Sequence, residues 1–297
     1  MRRKKKSKKA FYLFLFFAVT GISIGILSYQ KSLSDQKYTA DDIQSNIEAT
    51  EIDSAQVNMK TSTVKISEID NAMNLWLVNK DYAIPNKAAV NTVSAYKRVA
   101  LSRADIDLSP ETLLNTERMF AAAKKENFSG YVVTSGFRTK EKQTELYQDA
   151  TDKSYVSLPN HSEHQTGLAI DVQLINGGIR DFGETSQGKW LMNNAYKFGF
   201  ILRYPEDKIA ITGISYEPWH FRYVGLPHAA FMKNNNLCFE EYIDWLREHD
   251  GYEISVDGND YQIYRIISKN GKVAVPSYGN YEISDDNTGG YIITIKK

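Results

Sequence analysis

The chain lacks a second cysteine. Cys238 is the only one in 297 residues, so no intrachain disulfide braces the fold and stability has to come from a packed core. Flanked by Leu237 and Phe239, this thiol reads as a small buried hydrophobe and not as a nucleophile. Positive charge is scarce beyond the first residues. The formal net charge is +0, but seven Lys/Arg crowd residues 2–9; without them 29 Lys/Arg face 36 Asp/Glu, a net of −7. An acidic remainder argues against a nucleic-acid partner. Histidine is also sparse, at five residues, so two imidazoles within one motif stand out.

Behind the basic segment, residues 10–29 form an apolar run of about the ~20 residues that a helix needs to cross a bilayer. The run exceeds a signal-peptide core, has no clear small-x-small cleavage site before the polar region, and carries no cysteine for lipid attachment. It is expected to be an uncleaved, single-pass signal anchor in the cell membrane. The basic flank then stays in the cytoplasm and the rest of the chain lies outside the cell. Residues 31–70 are polar and acidic with few aromatics, which predicts a flexible tether.

Globular character begins near residues 73–78. Ser109-Pro110-Glu111 supplies an N-cap and a first-turn proline for a helix reaching Lys124. Residues 131–134 read as a strand, Thr139 caps a helix to about Asp149, and a helix over 186–198 ends at Gly199 in the position of a left-handed cap. Strands near Phe200 and Trp219 and helices from Pro227 and Phe239 follow. From Gly251 onward, alternating segments are punctuated by Asp257-Gly258, Asn270-Gly271 and Gly289-Gly290, which are hairpin signals. The expected fold is α+β, with a mainly antiparallel central sheet flanked by helices. Its expected divisions are a basic tail and transmembrane helix (1–30), the tether (31–70), a catalytic domain (71–250) and a small β-rich appendage (251–297).

The chemistry concentrates in Ser162-Glu163-His164-Gln165-Thr166-Gly167-Leu168-Ala169-Ile170-Asp171 and in Glu217-Pro218-Trp219-His220. A catalytic Zn²⁺ needs three nitrogen or oxygen ligands, an open position for water, and a base to take that water's proton. His164, Asp171 and His220 can be the ligands and Glu217 the base. Residues 168–172 read as a buried strand whose period of two separates Leu168, Ile170 and Val172 from Ala169 and Asp171. Gly167 lets the chain turn between His164 and that strand. A regular strand sends Glu217 and His220 to opposite faces; Pro218 argues for a break that turns Glu217 toward His220. His161 competes with His164 for the ligand role, whereas His228 has a place at a helix start and His249 at a helix end.

This pattern, with Ser135-Gly136-Phe137-Arg138 and Gln143 upstream and the run Gly199-Phe200-Ile201-Leu202-Arg203-Tyr204-Pro205 between, resembles the VanY-type D-alanyl-D-alanine carboxypeptidases over about residues 75–245. The departure is Phe137, where that family commonly has Tyr. The resemblance implies one Zn²⁺ per chain held by His164, Asp171 and His220, with Glu217 as general base. It also implies Arg138 and Gln143 facing the substrate, and Ser162, Tyr204 and Trp219 shaping the pocket for its terminal residue. A guanidinium at Arg138 can grip a carboxylate or an oxyanion. The implied substrates are peptidoglycan stem peptides ending in D-alanine, trimmed by a monomeric enzyme. Hydrolysis of pentapeptides by a D,D-carboxypeptidase stands first, an L,D-carboxypeptidase acting on tetrapeptides is the alternative, and a catalytically dead zinc-dependent wall-binding module is the third reading. Glu217 speaks against the third, since a binder has no need of a base.

Overall fold

The computed structural model describes residues 49–52, 61–69, 74–85, 88–277 and 279–297. In chain order the elements are β1 (Ala49–Glu51), β2 (Thr61–Lys65), β3 (Val93–Ser94), β4 (Asp107–Leu108), α1 (Pro110–Lys125), β5 (Tyr131–Ser135), α2 (Lys140–Asp149) and β6 (Ala169–Leu174). There follow α3 (Ser186–Asn194), β7 (Phe200–Leu202), α4 (Ile209–Thr212), β8 (His220–Tyr223), α5 (Leu226–Asn234) and α6 (Phe239–Glu248). The chain closes with β9 (Tyr252–Val256), β10 (Asn259–Ile266), β11 (Lys272–Pro276), β12 (Asn280–Asp285) and β13 (Tyr291–Lys296).

The part of the chain that carries the histidine motifs is built on a four-stranded antiparallel sheet in the order β5-β6-β8-β7. One face is apolar: Val133, Ile170, Val172 and Phe221 pack against Leu113, Met119 and Ala122 of α1 and Trp190 and Leu191 of α3. Phe221 is wholly buried there, and its truncation to Ala costs about 3–5 kcal/mol. The period of two then assigns Asp171, His220 and Arg222 to the other face. Local signals start the helices: the Ser109 hydroxyl accepts from Thr112 N, and the Thr139 hydroxyl accepts from Lys142 N. Gly199, at φ 79°, closes the turn after α3 in the left-handed conformation.

The C-terminal strands form a five-stranded sheet, β1-β9-β10-β13-β12, beside a two-stranded ribbon of β2 and β11. Consecutive residues of β13 face opposite ways. Ile292 joins a core with Phe231, Tyr242 and Ile243 of α5 and α6, while Ile293 joins Val273 and Val275 beneath the ribbon.

One part of the expected organisation differs, and another lies outside what the structure describes. Part of the segment expected to be a tether is strand: Ala49–Glu51 pairs with β9 and Thr61–Lys65 with β11. Composition could not show this, because the side chains of β1 are exposed and the pairing rests on backbone hydrogen bonds to open sheet edges. The apolar run of residues 10–29, expected to be the membrane anchor, lies outside the described residues. Among the described residues no helix is long and apolar enough to cross a membrane.

Candidate metal centre and active site

Asp171 and His220 are paired directly across β6 and β8, with Asp171 Oδ1 2.9 Å from His220 Nδ1. His164 comes from the single turn Glu163–Thr166, which ends at Gly167 with φ 73°. A side chain at residue 167 would strain that conformation and press on Thr92, so glycine is what returns the chain into β6. The return brings His164 Nε2 to 3.2 Å from Asp171 Oδ2. One donor atom from each of His164, Asp171 and His220 lies within 4.8 Å of the others. Donors on a tetrahedral zinc, each about 2.0–2.1 Å from the ion, stand ~3.3 Å apart, so these two separations fit.

The outer nitrogens complete the fit. His164 Nδ1 donates to Gly136 O at 2.8 Å, which leaves the Nε2 lone pair facing Asp171. His220 Nε2 donates to Glu163 Oε2 at 3.4 Å, which reserves Nδ1 for a metal. Two oriented imidazoles and a carboxylate are a donor set suited to zinc. His161 is turned away, with its Nδ1 2.6 Å from Asn79 O. His228 is buried against the Tyr242 hydroxyl, and His249 stacks on Trp245.

Glu217 stands beside this cluster. Pro218 and Trp219 form a turn closed by His220 N donating to Glu217 O at 3.1 Å, so residues 217 and 220 face the same way. Glu217 Oε2 lies 3.7 Å from His220 Nδ1. Burial pushes the Glu217 carboxyl up to about 8, with Asp171 adding to the rise and His220 and Arg138 opposing it. Any cation seated among the three ligands draws that value back down. Burial also works against a charge on His220, but hydrogen bonds from its ring to Asp171 and Glu163 prevail and hold it up at about 9. His164, buried and facing Arg138, drops to about 4 and is neutral. The metal-free site therefore keeps a proton on the imidazole nitrogen of His220 that a metal takes over.

All nine residues singled out from the sequence line one cavity of about 450 Å³. The Arg138 guanidinium is fixed in its wall. Nη2 reaches Asp171 Oδ2 at 3.2 Å and Ser135 Oγ at 2.9 Å, and Nη1 donates to Gln143 Oε1 at 3.0 Å. A register irregularity between Val133 and Ser135 sets Ser135 in place for this contact. Gln143 is buried, and its amide nitrogen is spent on Ser157 O, so it holds Arg138. Ser162 is buried at the cavity wall, the Tyr204 ring lies 4.9 Å from that of His220, and Trp219 stacks on Tyr155.

The sequence reading missed the support beneath His220. Glu163 is fully buried and accepts from Arg203 Nε at 2.7 Å and Arg222 Nη1 at 2.9 Å; Arg203 in turn forks onto both oxygens of Glu240. The two guanidiniums hold the Glu163 carboxyl far below the ordinary carboxylate range despite its burial, which acts the other way. A signal for this existed: Arg222 is two residues from His220 and so shares its face.

Fold and site together, an α+β domain with three side chains that could hold a metal and a separate carboxylate in the same cavity, have the form of a metal-dependent hydrolase. The profile of the family described as "VanY: D-alanyl-D-alanine carboxypeptidase" matches residues 105–226. A D-alanyl-D-alanine carboxypeptidase of Enterococcus faecium is 39% identical over 230 residues, 75% of this chain and 75% of that protein. The vancomycin-resistance D,D-dipeptidase VanXYg, solved with a D-Ala-D-Ala phosphinate analog, aligns with a TM-score of 0.70 at 34% identity, covering 80% of this chain and 99% of its own. The LdcB LD-carboxypeptidase aligns with a TM-score of 0.53 at 35% identity, covering 62% and 94%. The chain belongs to the VanY family of D-alanyl-D-alanine carboxypeptidases.

Proposed function

We propose that this protein is a zinc-dependent D,D-carboxypeptidase that hydrolyses the terminal D-alanine from peptidoglycan stem pentapeptides. The observation that carries the reading is Glu217: a carboxylate 3.7 Å from a ligand imidazole, facing the cavity, outside the ligand triad. A wall-binding module has no use for it. His164, Asp171 and His220 would hold one Zn²⁺. Bound there, it would supply Lewis-acid polarisation of the scissile carbonyl and lower the pKa of a water toward ~7. Glu217 takes the proton of the attacking water and returns it to the departing amine of D-alanine. Arg138, locked by Ser135 and Gln143, holds the substrate carboxylate or the developing oxyanion without reorganising. Ser162, Tyr204 and Trp219 bound the space for the terminal residue.

In this reading the segment of residues 1–30 anchors a monomeric enzyme to the cell membrane, and the domain of residues 71–250 works outside the cell with residues 251–297 appended. Shortening the stems removes the D-Ala-D-Ala end used by wall cross-linking enzymes and by glycopeptide antibiotics. The likeness to LdcB keeps one second reading, L,D-cleavage of tetrapeptides. Mass spectrometry of purified pentapeptide and tetrapeptide stems after incubation with the zinc-loaded protein separates them. Loss of one alanine from the pentapeptide is expected; loss from the tetrapeptide alone assigns the L,D activity, and loss from neither overturns catalysis.

A further inference from the structure

The C-terminal sheet is joined to the metal site by an unbroken chain of hydrogen bonds. Its first link is the loop between β12 and β13. Asp286 is wholly buried and shapes that loop by accepting from Thr288 N at 2.6 Å, Gly290 N at 3.0 Å and Arg265 Nε at 2.6 Å. The loop grips the extended stretch of residues 74–85. Asn287 Nδ2 donates to both Leu77 O and Ala83 O at 2.9 Å, and Leu77 N donates to Asp286 O at 3.1 Å. Asn287 sits at φ 60°, a left-handed conformation that asparagine tolerates and most residues do not.

The gripped stretch is the second link. Its carbonyls at Asn74 and Trp76 each accept from Arg222 Nη2 at 3.1 Å, and the Asn79 amide donates to Glu240 Oε1 at 3.0 Å. Arg222 and Glu240 are the outer members of the buried set that closes on Glu163, and Glu163 meets His220 Nε2. The same stretch also touches the loop leading into His164, through Ile84 N to Asn160 O at 2.7 Å. Both histidine-bearing segments are therefore braced from one strip of backbone, and that strip is held by the C-terminal sheet.

Buried ion pairs of this kind add little net stability, because desolvation offsets their attraction. What they supply is orientation. An imidazole ligand whose outer N–H is held by a fixed carboxylate presents its other nitrogen in one direction, and loss of such a partner costs about 10–100-fold in metal affinity or activity.

We infer that the C-terminal sheet is part of the metal site's support, with Glu163 as the positioning residue for His220 and Asn287 as the residue through which the sheet holds the network in register. The inference rests on the zinc reading above, and its test separates the two. Zinc affinity is measured by chelator competition on the full chain, for the natural sequence and for Asn287→Asp, Asn287→Ala, Glu163→Gln and Val273→Ala. Asn287→Asp keeps the size and backbone preference but turns a donor against two carbonyls; Asn287→Ala removes the donor without adding charge and serves if the first variant does not fold. Val273 lies wholly buried in the separate core beneath the β2–β11 ribbon, so Val273→Ala weakens the sheet without touching the loop.

The expected result is a loss of about 10–100-fold for Glu163→Gln. For the Asn287 variants a loss of roughly tenfold is expected, smaller because they act at a distance, with Val273→Ala unchanged. Unchanged affinity in the Asn287 variants overturns the inference, and so does an equal loss in Val273→Ala, which would reduce the sheet to general stability. Absence of zinc binding by the natural sequence overturns the metal-site reading instead.

Discussion

Asp171 and His220 face each other across two antiparallel strands, carboxylate oxygen to imidazole nitrogen at 2.9 Å, and the candidate metal site is assembled around that pair. His164 enters from the loop before β6, and Glu217 from the turn before β8.

Each ligand should be individually required. His164→Ala, Asp171→Ala and His220→Ala are expected to lose bound zinc and turnover together, while His161→Ala, whose ring is turned to Asn79 O, keeps its zinc. Metal analysis of the four purified variants checks this, and zinc lost from His161→Ala but kept by His164→Ala would reverse the assignment.

Zinc affinity should depend steeply on pH. In the metal-free protein His220 carries a proton up to about pH 9, so below that value zinc must displace it and affinity falls by up to tenfold per unit of pH lost. Titration in a weakly buffered solution should show proton release on zinc binding. Affinity that stays flat between pH 6 and about 9 would show that the proton is not held there.

Glu217 should leave a mark on the metal-free protein. Its carboxyl is raised from 4.5 to about 8 on folding, so the folded state binds the extra proton. The associated stability is fully present below pH 4.5 and is lost as pH rises through about 8. Glu217→Gln removes this component, so the difference in unfolding free energy between variant and natural sequence should grow in favour of the variant across that window. Denaturant titrations at several pH values measure it, and a constant difference contradicts the burial argument.

Arg138→Lys should retain zinc but lose turnover. A lysine cannot reproduce three guanidinium contacts to Ser135, Gln143 and Asp171, and removing one aligned oxyanion donor typically costs about 10²–10³ in kcat. Steady-state kinetics on a pentapeptide stem check this; a kcat within about threefold of the natural sequence would remove Arg138 from the reaction.

Much of the site was legible because it lies in short local patterns. The strand of alternating character fixed the side to which Asp171 points, the glycine at 167 announced the return of the chain, and Pro218 marked the break that aims Glu217. The caps at Ser109 and Thr139 likewise set their helices. What stayed hidden depends on distance along the chain. Glu163, Arg203, Arg222 and Glu240 look like ordinary surface charges one at a time, and only folding shows them buried on one another. The pairing of residues 49–51 and 61–65 with β9 and β11 is invisible for a related reason, since backbone groups carry no sequence signature. Gln143 lines the cavity, and the hydrogen bonds of its amide to Arg138 and Ser157 are a further relation that the sequence does not show.

The most direct test compares D-alanine release with zinc content in the same samples of the natural sequence and Glu217→Gln, using a pentapeptide stem ending in D-Ala-D-Ala. The account predicts about one zinc per chain in both, as three ligands and an open position require. It predicts turnover only in the natural sequence, with a drop of about 10²–10⁴ in the variant. Zinc lost from Glu217→Gln would make residue 217 a ligand, and turnover within tenfold of the natural sequence would contradict its role as the base.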